Sequence, residues 1–497
     1  MEVPAQEVPH VELARPRWTM SPSVHSAPAK PADLVGRDSE WDLLASMWET
    51  PKPELAIVLG RRRVGKSYLL GRFAQAVGGL YYQATRRTEA EQLARLSRAI
   101  GDRFADSALQ RGVGFPDWEA LFGYVTDRAG SDPFLLVLDE FPYLSDAAPA
   151  LPSIVQGLWD HAWAKTRLKI ILSGSHITAM TRLEAADQPL YGRRTHRLVL
   201  APFGPKEVRA FVPHYTPRQR LTMYGVVGGL PGHLSLLDPE RNIAENAAAL
   251  LLHSSGRLVD EAQHMLDAFL GEAAVHYSIV EAIASGEHTW KGITSRIGRS
   301  GGAALRPLEW LVDMQVVVRS VPVTESSPQR SKRSLYRITD PYVGFWHRFV
   351  APLVAAGSVG LVPPEQLWER AVAPRLDDYM GGVFESACRE AVRRGALTLP
   401  FAPTRVGEWW NTNSREQIDI VALGGDTEVL IGECKWGAIT GHDLTMLERR
   451  AGVLAAELGG RRQMHLALFS GRGAFDEETR QVIARGGVLG FGAGDIT

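Results

Sequence analysis

The sequence has only two cysteines, Cys388 and Cys434, in 497 residues. That scarcity excludes a disulfide framework and a zinc site built from cysteine, and it predicts a reducing compartment, the cytoplasm. Charge of one sign is also lacking: 55 basic and 56 acidic residues leave a formal net charge of −1. No chain-wide field would therefore draw the protein onto nucleic acid or an anionic membrane. No stretch approaches the roughly 20 consecutive apolar residues of a membrane span. Residues 1–30 lack the charged-then-apolar pattern of a signal segment. With Pro4, Pro9, Pro16, Pro22 and Pro28, they are expected to form a flexible tail. The 14 histidines show no ligand-like cluster.

What is present is an ordinary globular composition, 45% apolar and 22% charged, in a chain too long for one core, so several folding units are expected. From residue 31 to 203, β-rich runs alternate with amphipathic segments. Strands are predicted at 55–59, 80–85, 134–141, 169–175 and 195–203, the pattern of an α/β parallel sheet sandwiched between helices. Residues 204–265 read as a helical lid broken at Gly228, Gly229, Pro231 and Gly232. Residues 266–350 carry three helical runs and then two β-rich runs, 315–323 and 334–339, the order of a winged helix. A linker at 351–364 leads to a C-terminal α/β unit, 365–497. Its predicted order is helix (366–394), strands (403–410, 418–423, 428–435), helix (442–458), strand (464–469) and helix (475–485).

The run Gly60-Arg61-Arg62-Arg63-Val64-Gly65-Lys66-Ser67-Tyr68 follows an apolar strand and opens a helix, the context a phosphate-binding P-loop requires. Its backbone N–H groups and the helix N-terminus would cradle ATP phosphates, Lys66 would neutralise their charge, and Ser67 would offer a hydroxyl to Mg²⁺. Downstream, the run 134–138 ends in Asp139-Glu140. Asp139 would hold Mg²⁺ through water, and Glu140 would polarise the attacking water. Both could instead cap a strand end, although an apolar strand ending in two carboxylates after a P-loop argues against that. Ser173 and Ser175 close the next strand, either to sense the γ-phosphate or as an ordinary turn.

These motifs, with Leu34-Val35-Gly36-Arg37, Leu190-Tyr191-Gly192-Arg193-Arg194 and Gly228-Gly229-Leu230-Pro231, resemble those of archaeal-type ATPases of the AAA+/STAND group over about residues 31–350. The resemblance adds Gly36 and Arg37 to the nucleotide site. It implies that Arg193 or Arg194 can reach a neighbouring copy's nucleotide as an arginine finger in a homo-oligomer, and that Pro231 touches the nucleotide from the lid. A salt-bridged arginine and a helix-breaking turn are the competing readings.

In the winged-helix region the helix over 302–314 carries Arg306 against Glu309 and Asp313, which is poor equipment for gripping phosphates. Arg330, Lys332 and Arg333 in the hairpin tip are better placed for a DNA backbone. A solvated loop that merely couples the neighbouring units is the alternative.

Further on, Gln417-Ile418-Asp419 and Glu433-Cys434-Lys435 lie on two strands of a hairpin. A turn near Gly425 or Asp426 sets Asp419 across from residue 432 or 433. Glu433 and Lys435 then share one face, with Cys434 on the other. Two carboxylates sharing Mg²⁺ beside an ammonium are what phosphodiester hydrolysis needs. The arrangement matches the PD-(D/E)XK nuclease pattern and resembles the restriction-endonuclease-like domain often fused to these ATPases. Glu385 would then supply the first-helix acid. The usual proline is absent, and Gln417 stands where an acidic neighbour is expected. A buried Glu433–Lys435 ion pair on an inactive fold is the alternative, and Trp409 and Trp410 are expected in the core.

The leading expectation is an ATPase coupled to a winged helix and a Mg²⁺-dependent DNA nuclease. Its rival is a STAND-like ATP switch that uses both C-terminal units for binding. A plain transcription regulator is disfavoured by the acidic recognition helix.

Overall fold

The computed structural model describes residues 27–267, 273–412, 415–460 and 462–497. The expected tail lies outside these residues apart from Ala27 to Lys30, which are tied down. Pro28 O accepts from Trp41 Nε1 at 2.9 Å, and Lys30 Nζ donates to Gly36 O at 2.6 Å.

Five strands, β1 (Glu54–Gly60), β2 (Leu80–Gln83), β3 (Phe134–Asp139), β4 (Leu168–Gly174) and β5 (His196–Leu200), form an all-parallel sheet in the order β2-β3-β4-β1-β5. Every residue of β1, β3 and β4 is buried, as near-continuous apolar strands must be when helices cover both faces. One face packs on Trp41, Leu69 and Phe73, the other on Leu96, Trp118 and Phe122. The strands run as expected, β1 ending one residue later and the other four earlier. β3 stops at Asp139 because Glu140 takes a left-handed conformation, φ +53°, which no β-ladder continues.

The lid opens on a 3-10 turn, Pro205–Ala210, followed by the Thr216-capped helix Pro217–Val227. The helix stops at Gly228, φ +73°, and at Gly229 a Cβ would lie 1.9 Å from Phe203 O, so only glycine fits against the backbone that follows β5.

Helices Ala273–Ala284, Trp290–Ile297 and Gly302–Asp313 then precede an antiparallel pair, β6 (Val317–Ser320) and β7 (Leu335–Ile338). The expected linker starts inside a helix: Pro341–Phe345, Trp346–Val350 and Ala351–Ala355 follow without a break, the middle part being π-helical. Phe345, Trp346, Phe349 and Val350 are buried, which keeps this stretch helical rather than extended.

The C-terminal sheet contains β8 (Arg405–Trp410), β9 (Gln417–Gly424), β10 (Glu428–Lys435), β11 (Gln463–Ser470) and β12 (Leu489–Gly492) in the order β12-β11-β10-β9-β8. β8, β9 and β10 pair antiparallel, whereas β10, β11 and β12 pair parallel. Helix Ala373–Arg393 covers one face and helix Gly441–Glu457 the other. Trp409 and Trp410 are buried, as expected. β12 and the short helix Ala493–Ile496 extend the expected order; two glycines in the four residues Leu-Gly-Phe-Gly read as a loop and hide the strand.

The loop between β6 and β7 does not stand free. Val323 N donates to Glu408 O at 2.9 Å, and its side chain joins the core that holds Trp409, Ile418 and Leu447. Arg337 pairs with Glu408 at 3.1 Å.

Candidate functional site

Gly60, φ +159°, and Gly65, φ +93°, give the loop between β1 and helix Lys66–Val77 its curl. That helix start, the strand ends, the segment 33–37 and the lid turn at Pro231 and Gly232 enclose a cavity of about 1020 Å³. Arg62, Arg63, Val64, Gly65, Lys66, Ser67 and Tyr68 line it, together with Arg37, Glu140, Ser175 and Pro231. Lys66 is buried and donates to Gly60 O at 2.7 Å and Arg61 O at 3.2 Å. Burial lowers its pKa, and the nearby Glu140 and Asp139 carboxylates work against that fall.

Ser67 Oγ donates to Asp139 Oδ2 at 2.6 Å, and Asp139 Oδ1 accepts from the Glu140 N–H at 3.0 Å. A hydroxyl and a carboxylate side by side at a helix start, next to a buried ammonium, suit Mg²⁺, which binds through few protein oxygens and takes the rest from phosphates and water. Glu140 turns its carboxylate onto Ser175, accepting from its N–H at 3.2 Å and from its hydroxyl. Arg37 donates to Val64 O at 2.8 Å and lies over the Phe203 ring at 4.5 Å, fixing the loop from behind.

Several expected contacts are not formed. Arg61 turns away from the cavity and pairs with Asp340 at 2.7 Å, both side chains no more than 5% exposed. Gly36 presents its carbonyl to Lys30 and is not in the cavity wall, and Ser173 is buried inside β4. Arg193 is held by Asp160 at 2.8 Å and Arg194 by Glu184, so neither extends as a free finger. Asp340 and Tyr81, whose hydroxyl lies 2.5 Å from Asp139 Oδ2, escaped sequence reasoning. Neither belongs to a local motif.

In the C-terminal sheet the ladder ends at Gly432 opposite Ile420, which brings Asp419 level with Glu433 as the hairpin implied. Asp419 Oδ2 accepts the Cys434 N–H at 2.9 Å. Glu433 binds Arg450 at 2.6 Å and Lys435 at 3.4 Å, and Lys435 also approaches Asp443 at 3.8 Å. Glu385 lies 3.8 Å from Arg389. Burial, and then the Asp419 charge, raise Glu385 to about 7. Burial also raises Asp419 and Glu433.

The expectation of a shared Mg²⁺ on Glu385, Asp419 and Glu433 is not met. Among the described residues no group of three His, Cys, Asp or Glu side chains is arranged to hold a metal ion. The oxygens face guanidinium, ammonium and backbone donors instead. Arg333, expected on a DNA-facing tip, donates to Trp410 O and pairs with Glu325 at 3.3 Å. The other face of the lid also reaches this sheet: Arg218 lies over the Trp436 ring at 3.8 Å and pairs with Asp377 at 3.1 Å.

Residues 34–237 match a family described as an ATPase domain predominantly from Archaea. This part of the chain is similar to that ATPase domain. Residues 346–447 match a second family, described as archaeal and bacterial proteins of unknown function, and that match includes Glu385, Asp419, Glu433 and Lys435. An uncharacterized protein of Methanocaldococcus jannaschii is 26% identical over 428 residues, covering 84% of this chain and 90% of its own. Among solved structures, a Walker-type ATPase of Pyrococcus abyssi aligns at 22% identity with a TM-score of 0.47, covering 64% of this chain and 96% of its own. The Aeropyrum pernix ORC2 protein, in ADPNP and ADP complexes, aligns at 14% identity with a TM-score of 0.40, covering 68% and 97%. Among the described residues no helix is long and apolar enough to cross a membrane.

Proposed function

We propose that the protein binds and hydrolyses ATP with Mg²⁺ and transmits its nucleotide state from the P-loop to the C-terminal half. The observation that carries this reading is the Arg61–Asp340 ion pair, 2.7 Å long and closed to solvent. Arg61 sits between the loop glycines. Asp340 Oδ1 caps the helix at 341–355 by accepting the N–H of Tyr342 at 2.9 Å. A second tie joins Arg63 to Glu261 of the lid at 2.9 Å. Phosphates entering the loop reorient its backbone, and a buried ion pair resists being pulled open, so the displacement is passed to that helix. Lys66, Ser67 and Asp139 would hold the nucleotide and its cation, which screens phosphate charge. Glu140 would orient the attacking water once it leaves Ser175.

Hydrogen exchange over residues 341–355 tests this. Protection should change on adding a non-hydrolysable ATP analogue to the unaltered protein and stay unchanged in Arg61→Met. Equal responses in the two would refute the transmission.

The unit from Ala273 to Ile338 is read as a winged helix whose exposed Arg330 and Lys332 remain able to meet a DNA backbone. For the C-terminal sheet, carboxylates already paired with Arg450, Lys435 and Arg389 favour a binding role on a nuclease-like fold over Mg²⁺-dependent cleavage. Plasmid nicking with Mg²⁺ or Mn²⁺ that is lost in Lys435→Ala would overturn that choice. An arginine finger toward a second copy would require the Arg193–Asp160 or Arg194–Glu184 pair to open first.

A further inference from the structure

We propose that Tyr81 is a positioning residue of the P-loop site, holding the Asp139 carboxylate in the orientation from which it receives a hydrated divalent cation. This rests on the nucleotide-binding reading above and assigns a residue that no P-loop motif contains.

β2 runs parallel to β3 with Tyr81 beside Val137 and Gln83 beside Asp139. Side chains alternate along a strand, so Tyr81, Val137 and Asp139 share one face, the one covered by helix Lys66–Val77. Tyr81 packs there against the core that contains Val137, Leu70 and Phe73. Its phenol reaches one pleat forward, and the hydroxyl donates to Asp139 Oδ2 at 2.5 Å. Ser67 Oγ donates to the same oxygen at 2.6 Å, while Oδ1 takes the Glu140 N–H at 3.0 Å. Asp139 is fully buried at the end of its strand.

A carboxylate with two rotatable bonds stays in one orientation only while donors hold both oxygens. The Ser67 hydroxyl is the group that turns its oxygen to a cation. Among the described residues, Tyr81 and the Glu140 N–H are then the donors left to fix Asp139, and of these only Tyr81 acts on Oδ2. Partners that orient metal-ligating side chains typically tune affinity by one or two orders of magnitude, and Tyr81, acting through Asp139 and its water, is expected at the lower end of that range. Tyr81→Phe keeps the ring in its apolar bed and deletes only the donated bond.

The experiment titrates Mn²⁺ into the ADP-loaded protein and follows free Mn²⁺ by electron paramagnetic resonance. In parallel, fluorescent ADP is titrated in EDTA. Tyr81→Phe should weaken Mn²⁺ binding about tenfold and leave the metal-free ADP affinity unchanged. Equal or tighter Mn²⁺ binding in the variant overturns the proposal. A parallel loss of ADP affinity in EDTA also overturns it, because a merely structural tyrosine would disturb both. If the unaltered protein retains no fluorescent ADP, the nucleotide reading itself falls, and this inference falls with it.

Discussion

Lys66 and Lys435 are both lysines set close to paired carboxylates, and their neighbourhoods differ in what remains available. Lys66 is buried, and its hydrogen bonds go to two backbone carbonyls of its own loop. Neither of the nearby acids lies within ion-pair distance of it. Its charge faces a cavity of about 1020 Å³. Lys435 is half exposed and already shares Glu433 with Arg450. The first arrangement holds its charge in reserve for an incoming anion. The second neutralises itself within the fold, where desolvation makes leaving any one partner alone expensive. Proximity of acid and amine is therefore a poor guide to chemistry; what matters is whether the groups are already spent on one another.

The comparison can be broken most directly at Lys66. Lys66→Ala should lower ATP turnover, followed by phosphate release, by on the order of 100-fold or more, with the folded state retained. Unchanged turnover would mean that the reserved charge is not the one used. The next largest effect concerns stability. Arg61→Met strands Asp340 in the interior and should cost about 3 kcal/mol in chemical denaturation. Adding Asp340→Asn should recover part of that loss, and a loss below about 0.5 kcal/mol would show the pair to be ornamental.

The C-terminal cluster makes a pH prediction. Glu385 titrates near 7 in the folded protein against an ordinary value of 4.5. The folded state therefore holds a proton that the unfolded chain has released. Its stabilising share is complete below pH 4.5 and is lost as pH rises through 7. Glu385→Gln, neutral at every pH, should be about 1–2 kcal/mol more stable than the parent at pH 8 and nearly equal to it at pH 4. Identical denaturation curves at both pH values would refute this. The smallest effect is expected at Arg193→Ala. It removes a partly exposed pair with Asp160 and should change stability by less than about 1 kcal/mol.

Much of this was legible in the residues, and the illegible parts share a cause. β1 and β3 carry unbroken apolar runs, residues 55–59 and 134–138, and β4 carries one at 170–172, so the sheet and the loop at its edge could be read directly. In Arg61-Arg62-Arg63 three identical side chains follow one another, and nothing local says that the first turns inward. Its partner Asp340 lies 279 residues away. Ser173 and Ser175 have the same parity along a strand, but β4 ends at Gly174, so only the second reaches the cavity. Asp419, Glu433 and Lys435 came together as the hairpin predicted. Arg450, which pairs with Glu433, and Arg389, which pairs with Glu385 and donates to the Asp419 backbone carbonyl, come from helices on opposite faces of the sheet, beyond the reach of strand periodicity.

Val323 bears on how this chain can be divided. Its isopropyl group comes from the loop after β6 yet completes the interior around Trp409. A fragment that begins at Pro364 would leave that socket open to water on the outer edge of β8. Such a piece would be sticky even when every one of its own strands is correctly folded. The shortest C-terminal portion that behaves well in solution must carry the β6–β7 segment along, or replace the missing plug with a polar surface.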